Sequence, residues 1–190
     1  MSCTILRKRM RSIRKALSPL DVKSRSCSIV ERCVQLTQFQ EASSVALYAS
    51  DENEVETFAL MTWLIGRGVT VSLPVIQNQN MAFYEFDKNN TVLNRFSITE
   101  PDKSVCRKVS FDELDVIVLP LVVFDRLCFR IGRGGGFYDR ALERVVGMKS
   151  PPFLISLAYA FQEVENCHPQ KHDIQMDCIV TENEIFKANG

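Results

Sequence analysis

The sequence predicts an α/β fold in three layers, in which helices cover both faces of a mainly parallel sheet. Short apolar runs alternate along the chain with segments of helical periodicity, and the runs at 44–49 and 69–73 enclose a helical segment at 55–66. Strand, helix, strand units with such short connections are nearly always parallel and right-handed. We find no internal repeat and no linker, so residues 1–190 are predicted to form a single domain around one sheet.

The first helix is predicted from an apolar stripe of Leu6, Met10, Ile13 and Leu17, whose spacings fit one helical face. The first 20 residues contain no acid but six basic residues, namely Arg7, Lys8, Arg9, Arg11, Arg14 and Lys15. Three interpretations of this cationic helix stay open: a solvated face, an organelle-targeting segment, and a lid that brings positive charge to an anionic ligand.

The next elements are predicted from local start and stop signals. Ser18, Pro19 and Asp21 form a helix-start signature, and that helix is expected to reach about Gln38. The apolar run at 44–49 predicts a buried strand, and 55–66 predicts a helix with acids at its front and glycine at its end. The run at 69–73 predicts a strand that ends before Pro74.

The second half of the chain is predicted to be mostly strands. Segments 81–86 and 92–98 are weaker strand candidates, with a turn signal at 87–90 between them. The strongest strand is expected at 114–119, ended by Pro120. Two further strands are predicted at 153–159 and 178–181.

Composition excludes several classes of protein. With 46% hydrophobic and 24% charged residues, the chain is neither disordered nor collagen-like. Its longest apolar run, at 116–124, is about half of what a membrane-spanning helix needs, so we expect no membrane partner. Seven cysteines without a Cys-x-x-Cys pair, and no apolar leader, favour a reducing compartment and therefore the cytoplasm.

The segment that carries chemistry lies between a central strand and a helix expected to begin near Tyr138. Four glycines fall within five residues there, which allows positive φ and lets successive N–H groups surround phosphate oxygens. Arg130 and Arg133 add the positive charge that a polyphosphate requires. Asp139 is compatible with such an anion only if a divalent cation such as Mg²⁺ lies between them. The loop matches neither the Walker nor the dinucleotide-binding pattern.

The run from Phe124 to Arg140 resembles the signature of the 5-formyltetrahydrofolate cyclo-ligases, also called 5,10-methenyltetrahydrofolate synthetases. Shorter matches agree in order and spacing along nearly the whole chain: Leu6-Arg7, Tyr48, 54–57, Leu73-Pro74, Glu100-Pro101, Pro120, His172-Asp173 and 180–182. The resemblance implies an active-site glycine loop and the ATP- and Mg²⁺-dependent conversion of 5-formyltetrahydrofolate to 5,10-methenyltetrahydrofolate, with release of ADP and phosphate.

The resemblance also implies roles for individual residues. Arg133 and Arg130 would act in catalysis, and the ATP contacts would be Arg7, Arg130, Ile131, Gly132, Arg133, Gly134, Gly135, Gly136, Phe137 and Tyr138. Asp139 and Asp173 would bind Mg²⁺. Glu54 would bind the folate, since one carboxylate can accept two adjacent N–H donors of a pterin ring, and Ala49 and Arg7 would also contact the substrate.

Three positions depart from the family pattern. Cys3 stands where a lysine is usual, so one phosphate contact is absent unless Lys8 or Arg11 supplies the charge. Cys128 stands where glycine is usual, and a positive φ there would strain the backbone. Gly135 occupies a position that the family sometimes fills with lysine.

Individual features of the sequence are also compatible with other functions. Cys167, His168, His172, Asp173 and Cys178 have zinc-ligand chemistry, but Pro169 opposes the helix that a His-x-x-x-His pair needs. A nucleic-acid-binding module is disfavoured because the chain is neutral overall and acidic outside its first helix. Another nucleotide- or sugar-phosphate-binding α/β protein, or a folate binder without turnover, stays open. We expect a monomer whose folate substrate is also accepted in polyglutamylated form.

Overall fold

The computed structural model describes residues 2–78, 80–94, 97–170 and 173–188. Its helices within these ranges are α1 (Cys3–Lys15), α2 (Pro19–Cys33), α3 (Thr37–Glu41), α4 (Phe58–Gly66) and α5 (Phe137–Leu142). Its strands are β1 (Ser44–Ala46), β2 (Thr70–Gln77), β3 (Asn80–Glu85), β4 (Thr91–Leu93), β5 (Thr99–Pro101), β6 (Lys108–Val109), β7 (Val116–Pro120), β8 (Val123–Phe124), β9 (Arg130–Ile131), β10 (Phe153–Leu157), β11 (Cys178–Val180) and β12 (Ile185–Lys187).

Eight of the described strands form one sheet in the order β12-β11-β10-β7-β1-β2-β3-β6. The five strands from β11 to β2 pair in parallel, whereas β12, β3 and β6 pair antiparallel at the two edges. The mainly parallel sheet predicted from the sequence is therefore confirmed. Strands β4 and β5, and strands β8 and β9, form separate antiparallel ribbons.

Side chains alternate between the two faces of the sheet, as the pleat of a strand requires. Val116 and Val118 of β7 pack in the cluster that contains α2, α3 and α4. Ile117 and Leu119 pack in the opposite cluster, which contains α5. Helices therefore cover both faces, and the three-layer prediction is confirmed.

Helix α1 forms where predicted, and three of the four residues of its apolar stripe, Leu6, Met10 and Leu17, pack against the rest of the protein. Leu6 and Met10 pack near Val122 of the segment that leads into ribbon β8–β9. Ile13 is 41% exposed, whereas Arg14 is only 1% exposed. Ile13 is therefore the member of the predicted apolar stripe that stays exposed, and Arg14 is buried because it finds hydrogen-bond acceptors in the interior.

The second predicted helix is two helices. The capping box of Ser18 and Asp21 is present, but α2 ends at Cys33. Leu36 has an extended backbone and precedes the short helix α3, so the chain bends before Gln38.

Strand β1 and helix α4 are both shorter than predicted, because the segment between them is tied to other elements. The Tyr48 hydroxyl donates to the Val55 carbonyl at 3.0 Å, and the Thr57 hydroxyl donates to the Tyr48 carbonyl at 2.6 Å. The Glu56 N–H donates to Ser26 Oγ at 2.9 Å. Residues 55–57 therefore stay outside α4, and the acids predicted at its front precede its first turn.

Strand β2 continues through Pro74, against the prediction that it ends there. Pro74 pairs with Phe83 of β3. Thr70 and Ser72 direct their backbone polar groups toward β1, and Pro74 shares that side of the strand. The pairing of β1 with β2 ends at Ala46 and Ser72, so β1 offers no acceptor beside Pro74. The missing N–H of Pro74 therefore costs no hydrogen bond of the sheet.

The remaining strand boundaries differ by a few residues. The strand predicted at 114–119 is β7, in which Pro120 is the last residue, and those at 153–159 and 178–181 are β10 and β11. The segment 92–98 is not one strand, because β4 ends at Leu93 and pairs with β5. The turn at 87–90 forms, but β3 pairs with β2 and β6 instead of β4.

The glycine loop lies between ribbon β8–β9 and helix α5, so it does not follow the central strand β7 directly. The ribbon was not predicted, because strands of two residues leave no periodic pattern. None of the helices in the described ranges has the length and apolar character that crossing a membrane would require.

Candidate active site

A cavity of about 570 Å³ opens where the parallel strands β1 and β7 end. Tyr48 and Ala49 follow β1, and Pro120 and Leu121 end and follow β7. In the sheet, β1 lies between β7 and β2. The chain adds β2 on one side of β1 and later adds β7, β10 and β11 on the other side, so the strand order reverses at β1. This is the topological switch point, the position at which open α/β sheets bind ligands.

The glycine loop, residues 132–136, forms one wall of the cavity. Gly134 and Gly136 have φ of +97° and +65°, values that side chains rarely tolerate. A Cβ on Gly136 would lie 2.6 Å from Arg140 Nη1, and one on Gly135 would lie 2.9 Å from the Phe137 ring. Glycine therefore lets the backbone of this loop approach its neighbours and the cavity closely.

Helix α1 presents arginines to two loops of the site. Arg7 Nε donates to the Gly132 carbonyl at 2.8 Å, which joins α1 to the glycine loop. Arg11 donates to both carboxylate oxygens of Glu52, with Nη2 at 2.7 Å from each. Several basic residues of α1 thus face the candidate site, as the lid interpretation requires, while Lys8 and Arg9 are exposed.

The loop at 51–54, which follows β1, is anchored on the end of α1. Asn53 Nδ2 donates to the Arg14 and Leu17 carbonyls at 3.2 Å, and its φ is +57°. Burial opposes ionisation of Glu52, but hydrogen bonds from Arg11 and Lys15 outweigh this effect and lower its pKa to about 2. Glu52 is therefore a carboxylate at neutral pH.

Glu54 and Arg133 connect this loop to the glycine loop. Glu54 is 6% exposed, and its Oε1 accepts from Arg133 Nε at 3.1 Å while its Oε2 accepts from the Asp51 N–H at 3.2 Å. Arg133 Nη1 also donates to Asp51 Oδ2 at 2.9 Å. Burial raises the pKa of Glu54, and the charges of Arg133 and Arg14 oppose that rise.

Arg130 and Asp139 form a second ion pair on the same wall. Arg130 Nη2 lies 2.7 Å from Asp139 Oδ1. The Arg130 side chain is 5% exposed, whereas the Asp139 side chain is 47% exposed and lines the cavity. Asp139 is in the first turn of α5, as predicted. Burial, with a contribution from Glu54, raises the pKa of the neighbouring Tyr138.

A further part of the cavity wall contains several apolar residues and was not predicted as part of the site. It is formed from β2, β3 and β5 and contains Pro74, Ile76, Met81, Ile98, Thr99 and Glu100. Glu100 is 6% exposed, and its Oε1 accepts from Asn94 Nδ2 at 2.7 Å. Apolar residues of this kind carry no chemical signature in a sequence, because the same types fill the core.

The structure brings most of the predicted site residues together. Those that line the cavity are Ala49, Glu54, Arg130, Gly132, Arg133, Gly134, Gly135, Gly136, Phe137, Tyr138 and Asp139. Arg7 contacts the glycine loop, and Ile131 is buried beside Met10. Asp173 is not among the described residues of the cavity wall, and its Oδ2 accepts from the Gln170 N–H at 2.7 Å. His172 lies outside the described residues.

Arg14 is the principal residue of the site that sequence reasoning missed. It lies seven residues after Arg7, which is about two helical turns, so both arginines lie on nearly the same face of α1. This spacing could have indicated that Arg14 faces the site. Arginine is rarely buried, so the sequence favoured exposure.

The two unusual cysteines have distinct surroundings. Cys128 has φ of +63° and is buried, so the condition for backbone strain at this position is met. Burial raises its pKa to about 11. Cys3 is partly buried and packs against the cluster of Met10, Ile131 and Cys167. Within the described ranges, no three His, Cys, Asp or Glu residues are grouped so that they could hold a metal ion.

The fold and the cavity define an open α/β protein whose candidate ligand site lies at the carboxyl ends of its parallel strands. Residues 2–182 match the model of the 5-formyltetrahydrofolate cyclo-ligase family, and the chain belongs to this family. It is 32% identical over 175 residues to the 5-formyltetrahydrofolate cyclo-ligase of Haemophilus influenzae, covering 90% of this chain and 92% of that one. It is 31% identical over 182 residues to that of Escherichia coli, covering 94% and 99%.

Two solved structures of 5,10-methenyltetrahydrofolate synthetases have a fold similar to that of this chain. The NMR structure of Aquifex aeolicus 5,10-methenyltetrahydrofolate synthetase matches with a TM-score of 0.87 and 27% identity, covering 100% of this chain and 94% of that chain. The synthetase of Mycoplasma pneumoniae matches in fold with a TM-score of 0.78 and 24% identity, covering 96% and 99%. The α/β fold and the family predicted from the sequence are thereby confirmed.

Proposed function

We propose that this protein converts 5-formyltetrahydrofolate to 5,10-methenyltetrahydrofolate and consumes ATP in a Mg²⁺-dependent reaction. The observation that carries the proposal is the meeting of the glycine loop, Arg130, Arg133 and Glu54 in one cavity of a chain that belongs to the cyclo-ligase family. The cavity is lined by charged residues at the glycine loop and at the loop 51–54, and by apolar residues of β2 and β3. This lining suits a polyphosphate beside a largely planar ring system.

The glycine loop is the proposed site of the nucleotide phosphates. Its bare backbone, with left-handed φ at Gly134 and Gly136, lets N–H groups approach phosphate oxygens. Arg130 and Arg133 supply guanidinium groups, and Arg7 holds the loop through the Gly132 carbonyl. Phosphoryl transfer needs positioning and charge neutralisation more than a protein nucleophile, so these groups suffice.

Asp139 is the proposed protein ligand of Mg²⁺. It is the acidic side chain next to the glycine loop in the cavity wall, and almost half of it is exposed. A single carboxylate fits this ion, because Mg²⁺ commonly takes its other ligands from substrate phosphates and water. When bound, the ion would neutralise charge on the phosphates. Asp173 is retained only as a predicted second ligand, since it is absent from the described cavity wall.

Glu54 is the proposed folate-binding residue. Its carboxylate lines the cavity and can accept adjacent N–H donors of a pterin ring. Ala49 lies on the same wall and presents little bulk to the ring, and Arg7 is a predicted contact near the loop.

The proposed reaction activates a poor leaving group. The formyl oxygen attacks the terminal phosphorus of ATP, and ADP leaves. The nitrogen at position 10 then attacks the activated carbon and loses its proton, and the former formyl oxygen leaves as part of inorganic phosphate. Arg133 would stabilise charge on the transferred phosphoryl group, and Glu54 would hold the pterin in register for ring closure.

We also propose that the chain works as a single domain and a monomer in the cytoplasm. All seven cysteines are free thiols, which suits a reducing compartment. The proposed substrate includes polyglutamylated 5-formyltetrahydrofolate.

The test is the absorbance of the conjugated 5,10-methenyl product after mixing purified protein with 5-formyltetrahydrofolate, ATP and Mg²⁺. Matched reactions omit ATP, omit Mg²⁺, or replace the protein with the Asp139→Asn variant. We expect product only in the complete wild-type reaction. Folded wild-type protein that gives no product but binds ATP would favour a repurposed nucleotide site, and binding of folate alone would favour a member without turnover.

A further inference from the structure

Arg14 is a buried guanidinium whose contacts join three parts of the site. Its side chain is 1% exposed. Arg14 Nε donates to the Glu52 carbonyl at 3.0 Å, and Nη1 donates to the Leu121 carbonyl after β7 at 3.2 Å. Its Nη2 makes no hydrogen bond within the described residues and lies 3.6 Å from Glu54 Oε1.

Two arginines therefore share one carboxylate, and they differ in freedom to move. Arg133 is 35% exposed and belongs to the glycine loop, whereas Arg14 is enclosed. The proposed function assigns Arg133 to the transferred phosphoryl group, which would draw it from Glu54. A buried carboxylate that loses one cation needs another, since an unpaired charge in the interior is strongly unfavourable.

We propose that Arg14 is a positioning residue that keeps Glu54 ionised and directed into the cavity while Arg133 engages the nucleotide. The proposal rests on the proposed function, specifically on Glu54 as the folate-binding carboxylate. Arg14 contacts neither substrate in this view and acts through Glu54 alone.

The surroundings of Glu54 make Arg14 the fixed positive charge. The charged and titratable groups that act on Glu54 are Asp51, Tyr48, Tyr138, Arg133 and Arg14, and Glu52 pairs with both of these arginines. Asp51 and Glu52 are acids, and burial keeps both tyrosines neutral by raising their pKa. Without Arg14, protonation of Glu54 would place an O–H where the pterin offers N–H donors, which weakens folate binding but not ATP binding.

The test compares Arg14→Met, Arg14→Lys and, as a matched control, Arg9→Met, because Arg9 is an exposed arginine of the same helix. KM for 5-formyltetrahydrofolate and KM for ATP are measured from pH 6 to 9 after thermal unfolding confirms that each variant is folded. We expect Arg14→Met to raise the folate KM about tenfold at neutral pH, with recovery at higher pH, while the ATP KM changes less than about twofold. Arg14→Lys restores most of the affinity.

A double-mutant cycle separates positioning from a general structural role. In a Glu54→Gln background, Arg14→Met and Arg14→Lys are expected to add less than about a twofold further change, because Arg14 then has no charge to hold. Equal costs in both backgrounds, or a parallel rise of the ATP KM, would overturn the proposal. If Arg14→Met does not fold, the same cycle is run with Arg14→Gln, which also removes the charge but keeps hydrogen-bond donors for the carbonyls of Glu52 and Leu121.

Failure of the proposed function is distinguishable from failure of this inference. Wild-type protein without turnover contradicts the proposed function, and the cycle is then read from equilibrium binding of 5-formyltetrahydrofolate. If the wild type does not bind this folate either, both proposals fail. Turnover with equal costs in the two backgrounds contradicts the role of Arg14 alone.

Discussion

Arg133 Nε lies 3.1 Å from Glu54 Oε1, so a cation of the glycine loop neutralises the acid of the loop after β1 across the cavity. The proposed function gives these two residues different ligands, phosphate for Arg133 and folate for Glu54. In the structure the Arg133 guanidinium and the Glu54 carboxylate bind each other. We therefore expect ATP to compete with Glu54 for Arg133, and the folate to compete with Arg133 for Glu54.

Glu54→Gln is expected to weaken folate binding selectively. The amide keeps the shape of the carboxylate but loses its charge and half of its acceptor capacity, so the folate KM should rise about tenfold to a hundredfold. The ATP KM should change by less than about threefold. Initial rates with each substrate varied in turn provide the measurement, and an equal rise of both constants would refute the assignment of Glu54.

Arg133→Ala is expected to lower kcat more than it raises either KM. Removal of one preorganised cation from a phosphoryl-transfer site costs roughly a hundredfold or more in rate. Arg133→Lys serves as the matched control, since it keeps the charge but not the geometry of the pair with Glu54, and we expect partial activity. Unchanged kcat in the alanine variant would mean that Arg133 has only a structural role.

Asp139→Asn is expected to abolish Mg²⁺-dependent turnover while the protein stays folded. The asparagine oxygen can still accept from the buried Arg130, so the free energy of unfolding should fall by no more than about 1 kcal/mol. Asp139→Ala should lose turnover equally and also leave Arg130 unpaired. Activity is assayed over a wide range of Mg²⁺ concentration, and full activity of Asp139→Asn at low Mg²⁺ would exclude Asp139 as a ligand.

Glu52 is expected to make stability depend on pH in the acid range. Its pKa is about 2 in the folded protein and 4.5 for an unperturbed glutamate, so its contribution is complete above about pH 5 and is lost as the pH falls toward 2. The carboxylate is partly exposed, so the contribution should be about 1 kcal/mol. The free energy of unfolding is measured with urea at several pH values from 3 to 7. It should fall less steeply with decreasing pH in Glu52→Gln than in the wild type, and the same pH dependence in both proteins would contradict this prediction.

The sequence was sufficient for the layers of the fold because apolar runs and helical periodicity are local signals. It failed where tertiary contacts override local preference. Residues 55–57 have a helical pattern, but their hydrogen bonds to Tyr48 and Ser26 hold them outside α4. Pro74 is a general strand breaker, yet it is tolerated because β1 has already ended on that side.

The candidate site divides in the same way. The glycine loop and Asp139 are contiguous in the chain, so motif and chemistry together identified them. Arg14 and Glu100 escaped prediction because their roles depend on burial beside residues that are distant in sequence. Asp173 was predicted from the two-residue match His172-Asp173 alone. The residues around it carry no further pattern that would indicate whether its side chain reaches the cavity.

The fate of the formyl oxygen tests the central proposal most directly. The protein is incubated with ATP, Mg²⁺ and 5-formyltetrahydrofolate labelled with oxygen-18 in its formyl group, and the released phosphate is analysed by mass spectrometry. Activation of the formyl oxygen in this cavity predicts one labelled oxygen in each phosphate, formed in step with 5,10-methenyltetrahydrofolate. Unlabelled phosphate, or phosphate released without the methenyl product, would contradict it.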